Sequence, residues 1–234
     1  MKLDSYYLHA FDNHNGYSFN GEKSLKKLEQ ILESGELKSK RLRGITDESY
    51  GGWNGLDYIS LCDYRKRNNR PYENDEYLKD YTALEVYIKK SLSFLITRNK
   101  IKTIKTTLMF PIIFDWDSHF EMYRLGNSKD GRYSDLLDEV QVKDRISLSK
   151  VKGITIPIKY MITDHKSIIE EENKYYIKPY TTEEIIEYLN NIRDLLNFYK
   201  VSSKLYDIET QALLETEDDI EKTVKENIKI MNQN

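Results

Sequence analysis

A short segment in the second half of the chain, EVQV at residues 139–142, alternates strictly between polar and apolar side chains. On a β-strand this alternation places Glu139 and Gln141 on one face and both valines on the other. The valines can enter a hydrophobic core, which leaves the carboxylate of Glu139 facing either water or a cleft. In a cleft, a fixed carboxylate can accept a proton or stabilise a developing positive charge. Glu139 is therefore the first candidate for a catalytic residue.

Three further candidates lie on predicted strands earlier in the chain. His9 belongs to the run YYLHAF at residues 6–11, and Tyr58 and Ser60 belong to LDYISLCDY at residues 56–64. Tyr58 and Ser60 are two residues apart, so a strand places both on one face. Each candidate also has an ordinary structural interpretation, since a histidine among apolar neighbours can be a core residue and a strand tyrosine usually serves packing.

Cys62 is the only cysteine of the chain. It is better interpreted as a small buried residue than as a nucleophile, because the adjacent Asp63 would not lower the pKa of its thiol. A single cysteine excludes an intramolecular disulfide, so we expect a cytoplasmic protein in a reducing compartment. The N-terminal residues lack the apolar run of a signal peptide, and no apolar stretch approaches membrane-spanning length, so we expect no membrane association.

Two segments combine acidic residues with histidine in a way that suggests metal binding. Asp12 and His14 lie in FDNHNGY, and Asp115, Asp117 and His119 alternate along FDWDSHF. Neither segment has the spacing of a specific zinc site. Polar residues that alternate along a strand and so share one face are also common where that face is exposed to solvent. The sequence contains no P-loop and no G-x-G-x-x-G, HExxH or G-x-S-x-G motif. A metal-dependent hydrolase or nuclease is therefore a minor alternative, and we assign no metal site.

Positive charge is concentrated in the first part of the chain, although the net charge of the whole is −3. This overall balance excludes the strongly basic domain that is typical of a dedicated nucleic-acid binder. Basic residues with interleaved aromatics suit a nucleic-acid strand through phosphate attraction and base stacking, although each cluster alone is also consistent with a solvated loop. The two basic clusters are Lys38, Lys40, Arg41 and Arg43, and then Arg65, Lys66, Arg67 and Arg70 between Tyr64 and Tyr72.

The elements that must position these residues follow from periodicity and turn signals. Ser24 is predicted to cap a helix that ends at Gly35, with apolar residues at helical spacing between them. Thr181 with Glu184 has the spacing of a capping box and opens a second helix. Strand composition is found at residues 6–11, 56–64, 91–96, 106–115, 139–143 and 151–160.

The last third of the chain differs from the rest because its caps and apolar spacing predict helices. A further cap, Thr216, precedes an apolar stripe that runs to Met231. We therefore predict an α+β body over residues 1–165 and a helical C-terminal appendage over residues 180–234.

The order of these features resembles the ADP-ribosyltransferase superfamily. A histidine-bearing first strand, the segment SLKKLEQILESGELKSK, a strand with YISLCDY and a late strand with Glu139 follow one another as that superfamily's motifs do. The opening is loosely similar to that of bacterial toxins that ADP-ribosylate DNA. The resemblance covers roughly residues 6–160 and does not extend to the C-terminal helices.

The resemblance implies a split β-sandwich with flanking helices, in which NAD lies between two small antiparallel sheets. It implies that Glu139 is catalytic and that His9 contacts the NAD ribose. Either Tyr58 or Ser60 would fill the second motif, and Gln141 would line the cofactor side beside Glu139. Cleavage of the nicotinamide–ribose bond passes through an oxocarbenium-like state, which a carboxylate stabilises.

The activity implied by the resemblance is mono-ADP-ribosylation of a nucleic acid or protein, as in toxins and phage-conflict proteins. Leu137 stands where the resembling families usually carry a polar partner of the glutamate, and this departure argues against an arginine acceptor. A non-catalytic adaptor or inhibitor is the alternative, with the C-terminal helices binding a protein partner. The expected acceptor contacts are Arg65, Lys66, Arg67 and Arg70.

Overall fold

The largest feature of the fold is a seven-stranded β-sheet with helices packed against it. The computed structural model describes residues 3–11, 21–45, 57–63, 91–98, 104–105, 139–163, 167–171 and 174–233. These residues mix helices and strands along the chain, which confirms the α+β class. The strand predicted at 106–115 lies outside the described residues.

The strands are short, and most of them pair antiparallel. The seven-stranded sheet has the order β11-β8-β4-β1-β3-β6-β5, in which β11 alone runs parallel to its neighbour. Separate two-stranded sheets are formed by β2 with β7 and by β9 with β10. The strands are β1 (Tyr6–Ala10), β2 (Glu36–Lys38), β3 (Tyr58–Asp63), β4 (Ser93–Thr97), β5 (Ile104–Lys105), β6 (Glu139–Lys143), β7 (Arg145–Ser147), β8 (Val151–Ile156), β9 (Ser167–Glu171), β10 (Lys174–Lys178) and β11 (Lys204–Asp207).

Helices precede, interrupt and follow the strands. Short 3₁₀ segments add turns at Leu3–Ser5, Arg41–Arg43 and Leu148–Lys150. None of the helices in the described part of the chain has the length and hydrophobicity that crossing a bilayer requires. The α-helices described are α1 (Gly21–Ser34), α2 (Ile158–Thr163), α3 (Thr182–Phe198) and α4 (Glu217–Met231).

Helix α1 begins earlier than its sequence signals predict. Its first residue, Gly21, donates its backbone N–H to the Tyr180 hydroxyl at 3.1 Å, so a distant side chain satisfies this terminal donor. Ser24, the predicted N-cap, lies within the helix and is buried. Gly35 follows the helix with φ +69°, as predicted for a C-cap glycine.

The caps predicted for the two C-terminal helices are confirmed. The Thr181 hydroxyl accepts the Glu184 N–H at 3.2 Å, and the Glu184 carboxylate accepts the Thr181 N–H at 3.0 Å. Thr216 and Asp219 form the equivalent box at the start of α4. These reciprocal bonds satisfy the terminal N–H groups that a helix cannot pair internally.

The two faces of the sheet bury different sets of residues. One face packs against the helices and forms the main core, which contains Leu61 of β3, Phe94 of β4 and Leu28 of α1. The opposite face carries a smaller cluster of Leu3, Leu8, Cys62, Leu95 and Ile208. Any residue of the central strands therefore belongs to one of two distinct environments.

The C-terminal region is packed into the same main core as the strands before it. Strand β11 pairs in parallel with β8, and Leu205 of β11 is buried in that core. Leu189 of α3 and Ile220 of α4 are both fully buried there as well. Residues 180–233 thus complete the core of the sheet and do not stand apart from it.

Candidate functional site

The three strands that carry the predicted site residues are consecutive neighbours in the sheet. Strand β3 lies between β1 and β6 and pairs antiparallel with both. Leu8 pairs with Cys62, and Cys62 pairs with Glu139, so these three positions form one row across the sheet. Segments that are up to about 130 residues apart in sequence are thereby brought into three consecutive strands of one sheet.

The next rows on the same face contain the candidates of the second motif. Ser60 pairs with Gln141, and Tyr58 pairs with Lys143. Positions two residues apart on a strand are about 7 Å apart, so the Ser60 row is adjacent to the Glu139 row. Tyr58 lies roughly 13 Å along the strand from that row. The register therefore brings Ser60 and Gln141 closer to Glu139 than it brings Tyr58.

His9 belongs to the other face of the sheet. It pairs in register with Phe94, which is buried in the main core, whereas its neighbour Leu8 belongs to the smaller cluster. Because side chains alternate along a strand, His9 shares its face with Tyr7 and not with the Leu8–Cys62–Glu139 row. The structure brings positions 60, 139 and 141 together and separates His9 from them by the thickness of the sheet.

Aromatic residues surround the position of His9. Tyr7 and Phe11 are on the same face of the chain, and the Phe11 and Phe94 ring centroids are 4.3 Å apart. The Arg98 guanidinium lies 4.2 Å from the centroid of the Tyr7 ring, a cation–π contact. His9 is half-buried at the edge of this aromatic group, as expected of a histidine that takes part in packing.

Cys62 is buried, as predicted from its residue type and its acidic neighbour. Its exposed fraction is 3%, and it packs with Leu8 and Leu95 in the smaller cluster. Because its thiol has almost no solvent access, its position suits packing better than nucleophilic chemistry.

Several predicted positions lie outside the described residues. Leu137 and the metal candidates Asp12, His14, Asp115, Asp117 and His119 are among them. Within the described ranges, no group of three or more His, Cys, Asp and Glu residues is placed to hold a metal ion. The predicted acceptor contacts also lie outside the described residues; they are Arg65, Lys66, Arg67 and Arg70.

The first basic cluster is held at the end of the sheet where β3 begins. The guanidinium of Arg41 forms an ion pair with Asp57, the residue before β3. This hydrogen bond is the main reason why the pKa of Asp57 lies below its usual range. The N–H of Asp144 donates to the Asp57 carbonyl at 2.8 Å, and the N–H of Ser39 donates to the Asp144 carbonyl at 2.8 Å. These bonds fix the 3₁₀ segment Arg41–Arg43 beside the Tyr58–Lys143 row.

Sequence patterns alone did not reveal this connection. Asp144 separates β6 from β7 with φ +62°, a conformation that Asp tolerates better than most residues. The presence of aspartate at position 144 is a local indication of a turn. The contact between Arg41 and Asp57, in contrast, depends on the pairing of distant strands.

Comparison of the chain with protein-family models, with curated proteins and with solved structures found no match.

Proposed function

We propose that this protein is a mono-ADP-ribosyltransferase that cleaves NAD and transfers ADP-ribose to a macromolecular acceptor. The observation that supports the proposal is the pairing of β6 with β3, which sets the row of Glu139 beside the row of Ser60 and Gln141. Sequence order alone does not require these segments to be neighbours. Their adjacency on one face matches the grouping that the resemblance implies for a glutamate and a second-motif residue.

The chemistry needs one well-placed carboxylate more than any other group. When the bond between C1′ of the ribose and the nicotinamide nitrogen breaks, the nitrogen keeps the bonding electrons and nicotinamide leaves as a neutral molecule. Positive charge then develops on the ribose, and the Glu139 carboxylate stabilises it more than it stabilises bound NAD. An acceptor oxygen or nitrogen attacks C1′, and its proton passes to a base or to water.

Within this proposal the cofactor contacts come from the Glu139 face of the sheet. Ser60 and Gln141 occupy the row beside Glu139 and are assigned to the nicotinamide ribose, while Tyr58 lies further along the same face. His9 contributes through the packing of β1, because its register places it on the opposite face. The finer architecture, a split β-sandwich with NAD in a cleft, belongs to the same proposal.

The test is a substitution of Glu139 by Gln in the purified full chain. We expect release of nicotinamide from NAD, measured chromatographically, to fall roughly 10²–10⁴-fold with folding retained, since the neutral amide no longer offsets the ribosyl charge. Glu187→Gln, an exposed position on α3, is the matched control and should leave the rate unchanged. Equal rates for Glu139→Gln and the wild type would contradict the assignment.

A second readout separates transfer from hydrolysis and from a purely binding role. The chain is incubated with NAD labelled in its adenylate part and with a cell lysate, and labelled macromolecules are counted before and after nuclease or protease treatment. Label that requires Glu139 and survives a chelator supports the transferase. Absence of both nicotinamide release and labelling in a folded preparation would instead favour a non-catalytic adaptor or inhibitor.

A further inference from the structure

An open groove of about 730 Å³ lies between helices α1 and α3, and we call it the α1–α3 groove. Its apolar lining consists of Leu25 from α1 with Leu195 and Phe198 from α3. Both leucines are half-buried and pack against the main core, so the floor of the groove is fixed to the body of the protein.

The two helices run side by side in the same direction. A Cβ built on Gly21, the first residue of α1, would lie 3.0 Å from the ring of Tyr188. The pKa of Tyr199 is raised, first because its hydroxyl loses contact with water and then because the charges of Glu29 and Glu33 are close. The end of α1 is therefore beside the end of α3. From Tyr188 to Tyr199 the shared length is about 17 Å of helix.

The most exposed large apolar side chain in the described part of the chain lines this groove. The exposed fraction of Phe198 is 77%, and the next value is 43%, for Ile228 on α4. The Phe198 ring makes an edge-to-face contact with Tyr199, with the ring centroids 5.0 Å apart. An aromatic ring left in water contributes little to folding, whereas aromatic rings are typical anchors of protein interfaces.

The charged side chains of the groove leave an excess of negative charge. Its lining holds one cation, Lys26, and two carboxylates, Glu29 and Asp194, and Glu33 follows Glu29 by about one turn of α1. None of these three carboxylates takes part in an ion pair with the residues that the structure describes. A partner that carries positive charge beside its apolar residues would be complementary to this groove.

The same charges argue against a second copy of this chain as the occupant. The chain has a net charge of −3, and a symmetric contact through the groove would bring its carboxylates close to their own counterparts. The shape of the groove favours a helix, because both walls are helices and offer side-chain ridges and no strand edge. A length of about 17 Å corresponds to roughly three helical turns.

We propose that the α1–α3 groove docks a basic, amphipathic α-helix of a partner protein, with Phe198 as an apolar anchor. Leu25 and Leu195 form the floor beneath the apolar stripe of that helix. Glu29 on one wall and Asp194 on the other face its lysine or arginine side chains.

This docking surface does not depend on the proposed transferase function. Helices α1 and α3 contribute Leu28 and Leu189 to the main core, whereas the row of Glu139 shares its face with the smaller cluster. A helix docked outside α1 and α3 therefore leaves the Glu139 face of the sheet uncovered.

The probe is a fluorescein-labelled peptide of about 18 residues made of leucine and lysine, a length at which an isolated helix can form. Its leucines follow the spacing i, i+3, i+4 and i+7, so the helix carries them on one face. A second peptide has glutamate in place of every lysine. Binding to the full chain is measured by fluorescence anisotropy, and we expect the lysine peptide to bind about tenfold or more tightly than the glutamate peptide.

Two variants test the groove itself, each with a matched control on α4. Phe198→Ala should lose about tenfold or more in affinity for the lysine peptide, whereas Ile228→Ala, which also shortens an exposed apolar side chain, should change little. Asp194→Asn should weaken binding by about two- to fivefold and reduce its dependence on salt. Glu226→Gln removes one exposed negative charge on α4 and should change neither.

The proposal fails if the lysine peptide does not bind at low salt, if the two peptides bind equally, or if Phe198→Ala and Ile228→Ala lose the same affinity. Sedimentation velocity of the wild type tests the other occupant, since a dimer that Phe198→Ala dissociates would assign the groove to self-association. Because Phe198 is so exposed, its variant should keep the thermal transition of the wild type. If it does not, the comparison of Asp194→Asn with Glu226→Gln decides, and equal affinities of those two variants would refute the docking site.

Discussion

Asp207, at the end of β11, is a fully buried carboxyl that joins the sheet to helix α4. Its Oδ2 accepts hydrogen bonds from the Thr210 N–H at 2.8 Å, the Thr210 hydroxyl at 2.7 Å and the Asn227 amide at 3.1 Å. Burial nevertheless raises the pKa of Asp207, because removal of water penalises the charged form more than these donors favour it. The folded protein thus binds this proton more tightly than the unfolded chain does.

This difference gives the stability of the protein a defined dependence on pH. The contribution of Asp207 to stability is complete below the unfolded pKa, about 3.9, and is lost as the pH rises through the raised folded pKa. Each unit of pKa difference corresponds to about 1.4 kcal/mol. Asn at this position does not titrate, so we expect Asp207→Asn to become progressively more stable relative to the wild type between about pH 4 and neutrality.

Urea unfolding of both proteins across this pH range measures the effect. Other carboxylates also make the stability depend on pH. Asp57 and Asp219, for example, have lowered pKa values, so their contributions to stability increase as the pH rises. These contributions are the same in both proteins and cancel when the two are compared. Glu226→Gln, an exposed change on helix α4, controls for the removal of one acidic group. A difference that stays constant with pH, or that grows in favour of the wild type, would contradict the burial argument.

Single residues also show what sequence can and cannot reveal about the site. Glu139 and Gln141 could be placed on a strand because EVQV alternates locally, and the buried state of Cys62 followed from its type. The separation of His9 from Glu139 could not be predicted, because the faces of two strands are related only by their pairing. A shift of one residue in register would reverse that relation.

The contact between β8 and β11 depends on a glycine. Gly153 pairs with Lys204, and a Cβ at Gly153 would lie 2.6 Å from the Lys204 carbonyl oxygen and 3.2 Å from Leu95 Cδ1. The close neighbour is backbone and cannot rotate away, so a side chain here must push the two strands apart.

We therefore expect Gly153→Ala to lower the free energy of unfolding by about 1–3 kcal/mol, as measured in urea, because it overpacks the sheet. Hydrogen exchange at the amides of β11 should accelerate, since the parallel pairing with β8 is weakened. Gly35→Ala is the contrast: its φ of +69° makes Ala unfavourable, but among the residues that the structure describes, its chain neighbours aside, no atom lies within 4 Å of the added Cβ. That variant should lose about 1–2 kcal/mol through backbone strain while β11 keeps its protection. Equal exchange in β11 for both variants would exclude a steric origin.

Local signals account for the elements that were predicted correctly. The capping boxes at Thr181 and Thr216 and the C-cap glycine at residue 35 each involve groups within a few residues of one another. The start of α1 and the strand β11 escaped sequence interpretation because their partners are distant. Gly21 is bonded to Tyr180, and β11 consists of four residues that gain their structure by pairing with β8.

The molecule as a whole shares one main core between its N-terminal strands and its C-terminal helices. The C-terminal region supplies Ile185, Leu189 and Ile192 from α3, each with an exposed fraction of 0%, together with Ile220 from α4. Full burial of one such side chain contributes roughly 1.5–3 kcal/mol, whereas the net stability of a domain is about 5–15 kcal/mol. Removal of these four side chains alone would therefore cost an amount comparable with the whole net stability of a typical domain.

We expect a chain truncated after residue 179 to lose cooperative folding, although the sequence pattern alone predicts only a helical appendage over residues 180–234. Truncation removes β11 from the edge of β8 and exposes the main-core face of the sheet, so the product should aggregate or unfold. Near-ultraviolet circular dichroism and size-exclusion chromatography check this outcome. Truncation after Met231 removes only residues beyond α4 and should preserve folding. A monomeric 1–179 chain with a cooperative thermal transition would show instead that the strands and α1 form a self-sufficient body, and the shared core would then be an accessory interface.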